Sequence, residues 1–220
     1  MDNINRAARS DGDATKTALI EAAGKLIAER GFANTMGKDI CARAGTNTAA
    51  INYHFGGRDG LYIAVLEEVH RRMMGLNELQ ALEKKDAAPE EKLRLFLDAF
   101  VRAAWDEDDW TVRVWMRELL SPSPFIKKII TEQALPKLSV VRRIFSEYTG
   151  LSQEDERLYS AIVGTMAPFI WMMLAQRSEL REVRGIVPVQ CGKKEFAAHL
   201  KTFVLAGLKP FCPQTKKRSN

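Results

Sequence analysis

The stretch Thr35–Phe55, TMGKDICARAGTNTAAINYHF, decides the fold because it predicts two short helices joined by a tight turn. Thr35 is a candidate N-cap for the first of them, and Gly45 interrupts the helical pattern after about two turns. Asn47 is a good N-cap for the second helix, which ends near Phe55. A helix this short is unstable alone, so it must pack against its neighbours.

The second short helix has an apolar side and a polar rim. Ile40, Ala44, Ile51 and Phe55 form a small core with the preceding helix. The rim then carries hydroxyl, amide and small side chains: Thr46, Asn47, Thr48, Ala50, Asn52, Tyr53 and His54. Asparagine pairs with adenine and threonine or alanine contacts the thymine methyl, so the rim suits a major groove, as in a helix-turn-helix. The spacing alone leaves open an ordinary helical hairpin with a polar surface.

The rest of the chain is also predicted to be helical, and strand signals are nearly absent. A long helix is expected from about Asp59 to Leu82, and Pro136 is expected to kink a later one. Further apolar helical patterns cover 110–120, 153–180 and 194–208. The fold class is therefore all-α, with a compact three-helix unit before a larger helical body.

Composition and charge narrow the class of protein. The chain has 220 residues and 33 basic against 28 acidic side chains, a net charge of +5 that is compatible with a nucleic-acid partner without proving one. Cys41, Cys191 and Cys212 are far apart, which favours neither a zinc site nor a disulfide framework and indicates a reducing, cytoplasmic setting. The uncharged segment Leu158–Gln176 approaches the length of a membrane span, but a helix buried on all sides of a soluble protein is preferred.

Residues Thr15–Leu66 resemble the amino-terminal domain of the TetR family of bacterial transcriptional regulators. The resemblance rests on ERGF at 29–32, Asp39-Ile40, Ala44-Gly45, Tyr53-His54-Phe55 and Gly57-Arg58-Asp59. Farther along, VRVWMRELLSPSP at 112–124 and EFAAHLKTFVLAGL at 195–208 resemble the carboxy-terminal domain of CecR-type regulators. The implied domains are a flexible tail at 1–12, a DNA-binding domain at 13–72 with its motif at 35–54, an effector-binding and dimerisation domain at 73–212, and a basic tail at 213–220.

The resemblance implies roles for the motif residues. Thr35 would cap the second helix and contact phosphate, and four residues would present to the bases: Asn47, Thr48, Ala50 and Asn52. Tyr53, His54 and Arg58 would contact phosphates on either side of the groove. The sequence departs from the family at Met36, where a hydroxyl is common, at Asn52, where tyrosine is commoner, and at Thr46, often valine.

The resemblance also implies a small apolar or aromatic effector and a homodimer. The large and polar side chains expected around an effector are Phe100, Trp105, Trp115, Met116, Glu118, Met166, Phe169, Trp171 and Met173. The last two helices would form a four-helix bundle between two copies of the chain. Its expected residues are Ser160, Gly164, Pro168, Leu200, Phe203 and Val204.

The expected function is that of a ligand-responsive repressor that binds a palindromic DNA operator as a dimer. An enzyme is not expected because the sequence holds no HExxH, GxSxG or GxxxxGK[ST] pattern. No metal or cofactor is expected either. A helical interaction or scaffold protein without DNA binding is the alternative, and a salt-sensitive gel shift separates the two.

Overall fold

The computed structural model describes residues 2–104, 110–175 and 193–212, and all regular elements within these ranges are helical. The elements are α1 (Asp2–Arg30), α2 (Gly37–Ala44), α3 (Thr48–Phe55), α4 (Arg58–Met73), α5 (Leu76–Glu83), α6 (Pro89–Ala104), α7 (Trp110–Leu120), α8 (Ile126–Ile129), a π-helix (Ile130–Ala134), α9 (Leu135–Thr149), α10 (Glu156–Ala175), α11 (Lys193–Leu208) and a terminal 3₁₀ turn (Lys209–Phe211). The all-α prediction is confirmed. Residues 2–12, expected to form a flexible tail, lie in the first turns of α1, and the basic tail 213–220 lies outside the described residues.

The two short helices of the motif begin and end close to the predicted residues, with one correction. Asn47 is the N-cap of α3, and its side chain accepts a hydrogen bond from the Ala50 backbone N–H at 3.2 Å. The predicted cap at Thr35 is wrong, because α2 starts at Gly37 and Met36 is its N-cap residue. The Thr35 hydroxyl instead donates to the Gly31 carbonyl at 2.8 Å, and its side chain is buried.

The long helix predicted from Asp59 to Leu82 is interrupted. Helix α4 ends at Met73 and α5 begins at Leu76, with Gly75 in an extended conformation (φ −69°, ψ 146°) between them. Glycine destabilises a helix interior because it loses more backbone freedom on folding than any other residue. A long helical pattern is therefore easily interrupted at a glycine. Near Pro136, where the sequence predicts a kink, the π-helix Ile130–Ala134 gives way to α9. Pro136 has no N–H to continue the ordinary helical hydrogen bonds.

The chain packs as two compact units that are discontinuous in sequence. The first unit combines Met1–Arg72 with Asp108–Gln133, and the second combines Met73–Glu107 with Ala134–Asn220. Helix α7 belongs to the first unit, where it packs against α1. These units are defined by packing alone. The expected division into a DNA-binding domain and an effector-binding and dimerisation domain stays a prediction.

A tryptophan fitted against a glycine joins α7 to α1 in the first unit. A Cβ atom at Gly24 would lie 2.4 Å from the Trp110 ring, so only glycine allows this approach. The Trp110 indole N–H donates to Glu21 at 2.9 Å, and Arg72 from α4 pairs with the same carboxylate. At the other end of α7, Arg117 donates to the Ala28 carbonyl at 3.3 Å. Helix α7 is thereby held at both ends.

The second unit is organised around a cluster of phenylalanine rings. Phe96 from α6 meets Phe145 from α9 edge to face at 5.8 Å between centroids, and Phe100 meets Phe169 from α10 in the same way at 4.9 Å. Such edge-to-face pairs add to the stabilisation from burial. Helix α11 packs against α6 and α10. The core of this unit therefore draws on helices from both of its chain segments.

Helix α10 corresponds to the uncharged segment, and its burial differs from the expectation. Leu158, Ala161, Ile162 and Phe169 are buried, which gives the helix one inward side. The opposite side is exposed, so the helix is not buried on all sides. Among the helices of the described ranges, none is long and apolar enough to cross a membrane.

Candidate nucleic-acid interface

Helix α3 is fixed by a buried inner side and by caps at both ends. Ile51 is 4% exposed, and α3 packs against α2, in which Ile40 and Cys41 are buried. At the C-terminus, Gly56 adopts a left-handed conformation (φ 70°), and its N–H donates to the Asn52 carbonyl at 2.9 Å. The Cys41 thiol donates to the Asn47 carbonyl at 3.3 Å, and burial raises its pKa. The orientation of α3 is thus determined by its short hydrophobic inner side.

The outer side of α3 carries the polar residues that the sequence predicted. Asn47, Thr48 and Asn52 are exposed, and Tyr53 is 86% exposed. Thr46 and Ala50 are half-buried at the edges of this surface. We call the exposed surface of residues 47–49, 52 and 53 the α3 crest. A protruding helix with amide, hydroxyl and small side chains has the shape and chemistry that a major groove admits.

One residue of the α3 crest was not predicted from the sequence. Ala49 is exposed and lies one turn before Tyr53, on the side opposite the buried Ile51. The two-residue spacing between Ala49 and the buried Ile51 places Ala49 on the opposite side of the helix and could have identified it. Met36 is also 58% exposed at the N-cap of α2, so the position where the family often has a hydroxyl is open to solvent.

The residues expected to contact phosphates differ in their exposure to solvent and in their contacts within the protein. The rings of Tyr53 and His54 meet edge to face at 4.9 Å, and His54 is half-buried. Thr35 is only 1% exposed and its hydroxyl donates to the Gly31 carbonyl, so this hydroxyl is engaged within the protein. The Arg58 guanidinium lies 4.2 Å above the Phe32 ring and donates to the carbonyls of Phe32 and Ala33. In this conformation Arg58 supports the loop before α2.

Surface charges around the motif are partly paired within the protein. Arg43 of α2 pairs with Glu29 of α1 at 3.0 Å, and Arg30 approaches Asp39 at 3.8 Å. Exposed pairs like these add little stability, so their main effect is on the local field. Lys38 is exposed beside them on α2. The net positive charge available to a polyanion is therefore modest.

The residues predicted to surround an effector fall into both units. Met116 and Glu118 are buried in the first unit, and Trp115 is half-buried there beside His70 at 4.5 Å between ring centroids. In the second unit Phe169 is buried, Phe100 and Met166 are half-buried, and Trp171 is 54% exposed. Trp105 and the Met173 side chain lie outside the described residues. The predicted effector pocket stays a prediction.

The second unit holds a groove that the sequence analysis did not identify. It has a volume of about 350 Å³ and lies between α5 and α6. Leu79, Leu82, Leu95 and Ala99 contribute its apolar wall. Glu78 and Arg102 pair at 2.9 Å at the groove, so charged groups accompany the apolar lining.

The predicted interface residues do not all lie on an exposed surface. Ser160 and Gly164 of α10 are exposed, and Pro168 is half-buried. Phe203 of α11 is 68% exposed, but Leu200 and Val204 are buried inside the second unit. Of these three residues of α11, Phe203 is thus the one open to a second copy of the chain, and the expected interface stays a prediction. Four further large apolar side chains of α10 are exposed: Tyr159, Val163, Ile170 and Trp171.

Two family models match the chain. The model "Bacterial regulatory proteins, tetR family" matches residues 19–65, and the model "HTH-type transcriptional dual regulator CecR, C-terminal domain" matches residues 89–208. Together they cover the motif and most of the helical body. The match agrees with both resemblances found in the sequence.

Known proteins agree with the family models. The chain is 28% identical over 179 residues to the HTH-type transcriptional dual regulator CecR of Shigella flexneri, covering 75% of this chain and 79% of that protein. It is 31% identical over 94 residues to the HTH-type transcriptional repressor NicS of Pseudomonas putida, covering 43% and 42%. The solved structure of the fatty acid degradation regulator FadR from Bacillus halodurans aligns with a TM-score of 0.68 at 17% identity, covering 89% and 96%. This last likeness concerns the fold.

Proposed function

Because the chain belongs to the TetR family and is a DNA-binding transcriptional regulator, we propose that it is a ligand-responsive repressor that binds a palindromic operator as a homodimer. The α3 crest carries the proposal: an exposed row of polar and small side chains on a helix fixed from below. A scaffold protein has no need for such a surface. A salt-dependent gel shift with the DNA upstream of the protein's own gene tests the proposal, and absence of any sequence-dependent complex contradicts it.

The exposed sides of α10 and α11 support the homodimer. Large apolar groups on α10, among them Val163 and Ile170, are open to solvent, and Phe203 is exposed on α11. A contiguous exposed apolar surface is typical of an interaction site. Two copies related by a two-fold axis would present two α3 crests to successive major grooves, about 34–36 Å apart, which selects a palindromic site.

Replacing Asn52 by alanine is expected to weaken binding at one base position of the operator by about 1–3 kcal/mol, because the exposed amide of Asn52 can form a bidentate pair with adenine. The measurement is a competition assay with operator variants that differ at single positions. The loss is expected to disappear on the operator variant that lacks that adenine.

Ala49→Gly is the matched control for the Asn52 variant, since it changes an exposed residue one turn earlier in α3 without removing a hydrogen-bonding group. It is expected to leave the preference for adenine in place. If Asn52→Ala lowered DNA affinity equally on every sequence, the amide of Asn52 would contact the DNA backbone and not a base.

The proposed ligand response rests on the second unit. The volume of the groove between α5 and α6 lies near the lower end of the range found for small-molecule sites. The paired rings of Phe100 and Phe169 lie in the same unit. The chemistry suits a small apolar or aromatic effector with a polar group. In this proposal, the protein represses transcription by occupying the operator. Ligand binding then releases the protein from the DNA.

A ligand found by thermal-shift screening is expected to bind more weakly when the operator is present. Linkage requires that the ligand and the operator weaken each other by the same factor, and 1–3 kcal/mol is a typical coupling, about 5–150-fold. Calorimetric titration of the ligand with and without the operator measures the factor directly. Equal affinities would contradict a ligand response to that compound, and a reversed sign would indicate a co-repressor.

A further inference from the structure

A continuous stack of side chains connects the loop before α2 with the end of α7 in the first unit. The Arg58 guanidinium covers one face of the Phe32 ring at 4.2 Å, and the Tyr62 ring stacks on Phe32 at 4.1 Å between centroids with only 8° between the planes. The Tyr62 hydroxyl then donates to the Glu118 carboxylate at 2.5 Å. We call these four residues the Arg58–Glu118 stack. It extends from the first residue of α4 to the last turn of α7.

The last member of this stack is a buried carboxylate that is fully engaged. Glu118 is 2% exposed, and besides Tyr62 it accepts hydrogen bonds from the Ser123 N–H at 3.2 Å and the Ser123 hydroxyl at 3.0 Å. A charge buried this far is costly unless hydrogen bonds compensate it. Burial and the neighbouring carboxylate raise the pKa of Tyr62 well above its usual range, so the phenol remains a donor.

The other end of the stack determines the path of the chain beside the DNA-reading helices. Arg58 bonds to the carbonyls of Phe32 and Ala33, in the segment that leads from α1 into α2, and it is itself the first residue after the α3–α4 turn. Phe32 also meets Phe125 edge to face at 6.1 Å, which supports the same ring from the side of α8. The segments before α2 and after α3 are therefore fixed to one another through these rings.

We propose that Glu118 is a positioning residue for DNA binding, which acts through Tyr62, Phe32 and Arg58 to hold α2 and α3 in the orientation that fits the DNA. This proposal rests on the DNA binding of the proposed function. It changes the role expected of Glu118, from a ligand contact to a support for the helix-turn-helix. Helix α7 then contributes to DNA affinity without touching DNA.

The test compares variants that break the stack at its buried end. The probe is a duplex that the wild-type protein selects from a random-sequence pool, measured at a temperature where circular dichroism shows every variant to be folded. Tyr62→Phe keeps the stacked ring and removes the hydroxyl donor, and Glu118→Leu removes the acceptor. Each is expected to lower affinity about tenfold. Glu118→Gln keeps an oxygen acceptor for Tyr62 but loses the acceptor for the Ser123 N–H, so its affinity is expected to lie between those of Glu118→Leu and the wild type.

Val114→Ala is the control, since Val114 is buried one turn earlier in α7 and lies outside the stack. It is expected to lower the melting temperature without lowering affinity in the folded protein. Hydrogen exchange provides a second readout, with faster exchange at residues 31–36 in Tyr62→Phe than in Val114→Ala. If Glu118→Leu does not fold, Tyr62→Phe decides the test. Affinity and exchange equal to the control in that variant would overturn the proposal, whereas failure of the wild type to select any duplex would refute sequence-specific binding itself.

Discussion

Replacing Gly60 by alanine is expected to lower the free energy of unfolding by about 3 kcal/mol and to weaken DNA binding in the fraction that remains folded. A Cβ atom at this position would lie 1.9 Å from the backbone oxygen of Phe55, the last residue of α3. A backbone oxygen cannot move aside as a flexible side chain does, so α3 and α4 must separate. Urea denaturation measures the free energy of unfolding, and a DNA titration under native conditions measures the loss of affinity.

Gly56→Ala is the control for this prediction, because it lies in the same turn but faces open space. Its left-handed conformation (φ 70°) still makes a side chain unfavourable, by about 1–2 kcal/mol. We therefore expect a smaller loss of stability than for Gly60→Ala. Equal or greater destabilisation by Gly56→Ala would show that the approach of α4 to the end of α3 is not what requires glycine.

Replacing Gly164 by leucine is expected to convert the proposed dimer into monomers and to weaken operator binding about 100-fold, since binding through two linked sites is lost. Nothing lies within 4 Å of a Cβ atom at Gly164, so a leucine there leaves the fold of one copy undisturbed. In an isolated copy the substitution improves helix propensity by up to about 1 kcal/mol. Sedimentation measures the association state, and circular dichroism verifies the fold.

Asn77→Leu provides the comparison, because it introduces a side chain of the same size at an exposed position of α5. We expect this variant to remain dimeric and to bind DNA as the wild type does. A dimer that survives in Gly164→Leu would place the contact between copies elsewhere on the surface.

The motif could be predicted from sequence because its determinants are local. The cap at Asn47 and the helix break at Gly45 depend on neighbouring residues only, and both are found as expected. The left-handed conformation of Gly45 is added by the structure. The cap at Thr35 failed because α2 starts at Gly37, and the Thr35 hydroxyl donates to the Gly31 carbonyl at 2.8 Å. A hydroxyl near a helix start can accept from a helix N–H or donate to a preceding carbonyl, and the sequence pattern does not say which bond it forms.

The roles of Arg58 and Glu118 depended on contacts between distant parts of the chain. Helical periodicity indicates that Glu118 lies on a side suited to burial, but not that a tyrosine 56 residues earlier provides its donor. The same limit applies to α11, where apolar residues occur on two sides of the helix. Periodicity alone did not identify Phe203 as the exposed one and Leu200 as the buried one.

The fit of Trp110 against Gly24 bears on how this protein can be recombined with its relatives. A chimera cut after residue 72 carries α1 to α4 but leaves behind the indole that fills the space beside Gly24 and donates to Glu21. The transplanted segment would then expose apolar surface that its own unit normally covers. Exchange of operator specificity between regulators of this kind therefore requires residues 108–133 to be transferred together with the first 72, or only the α3 crest to be grafted onto an intact chain.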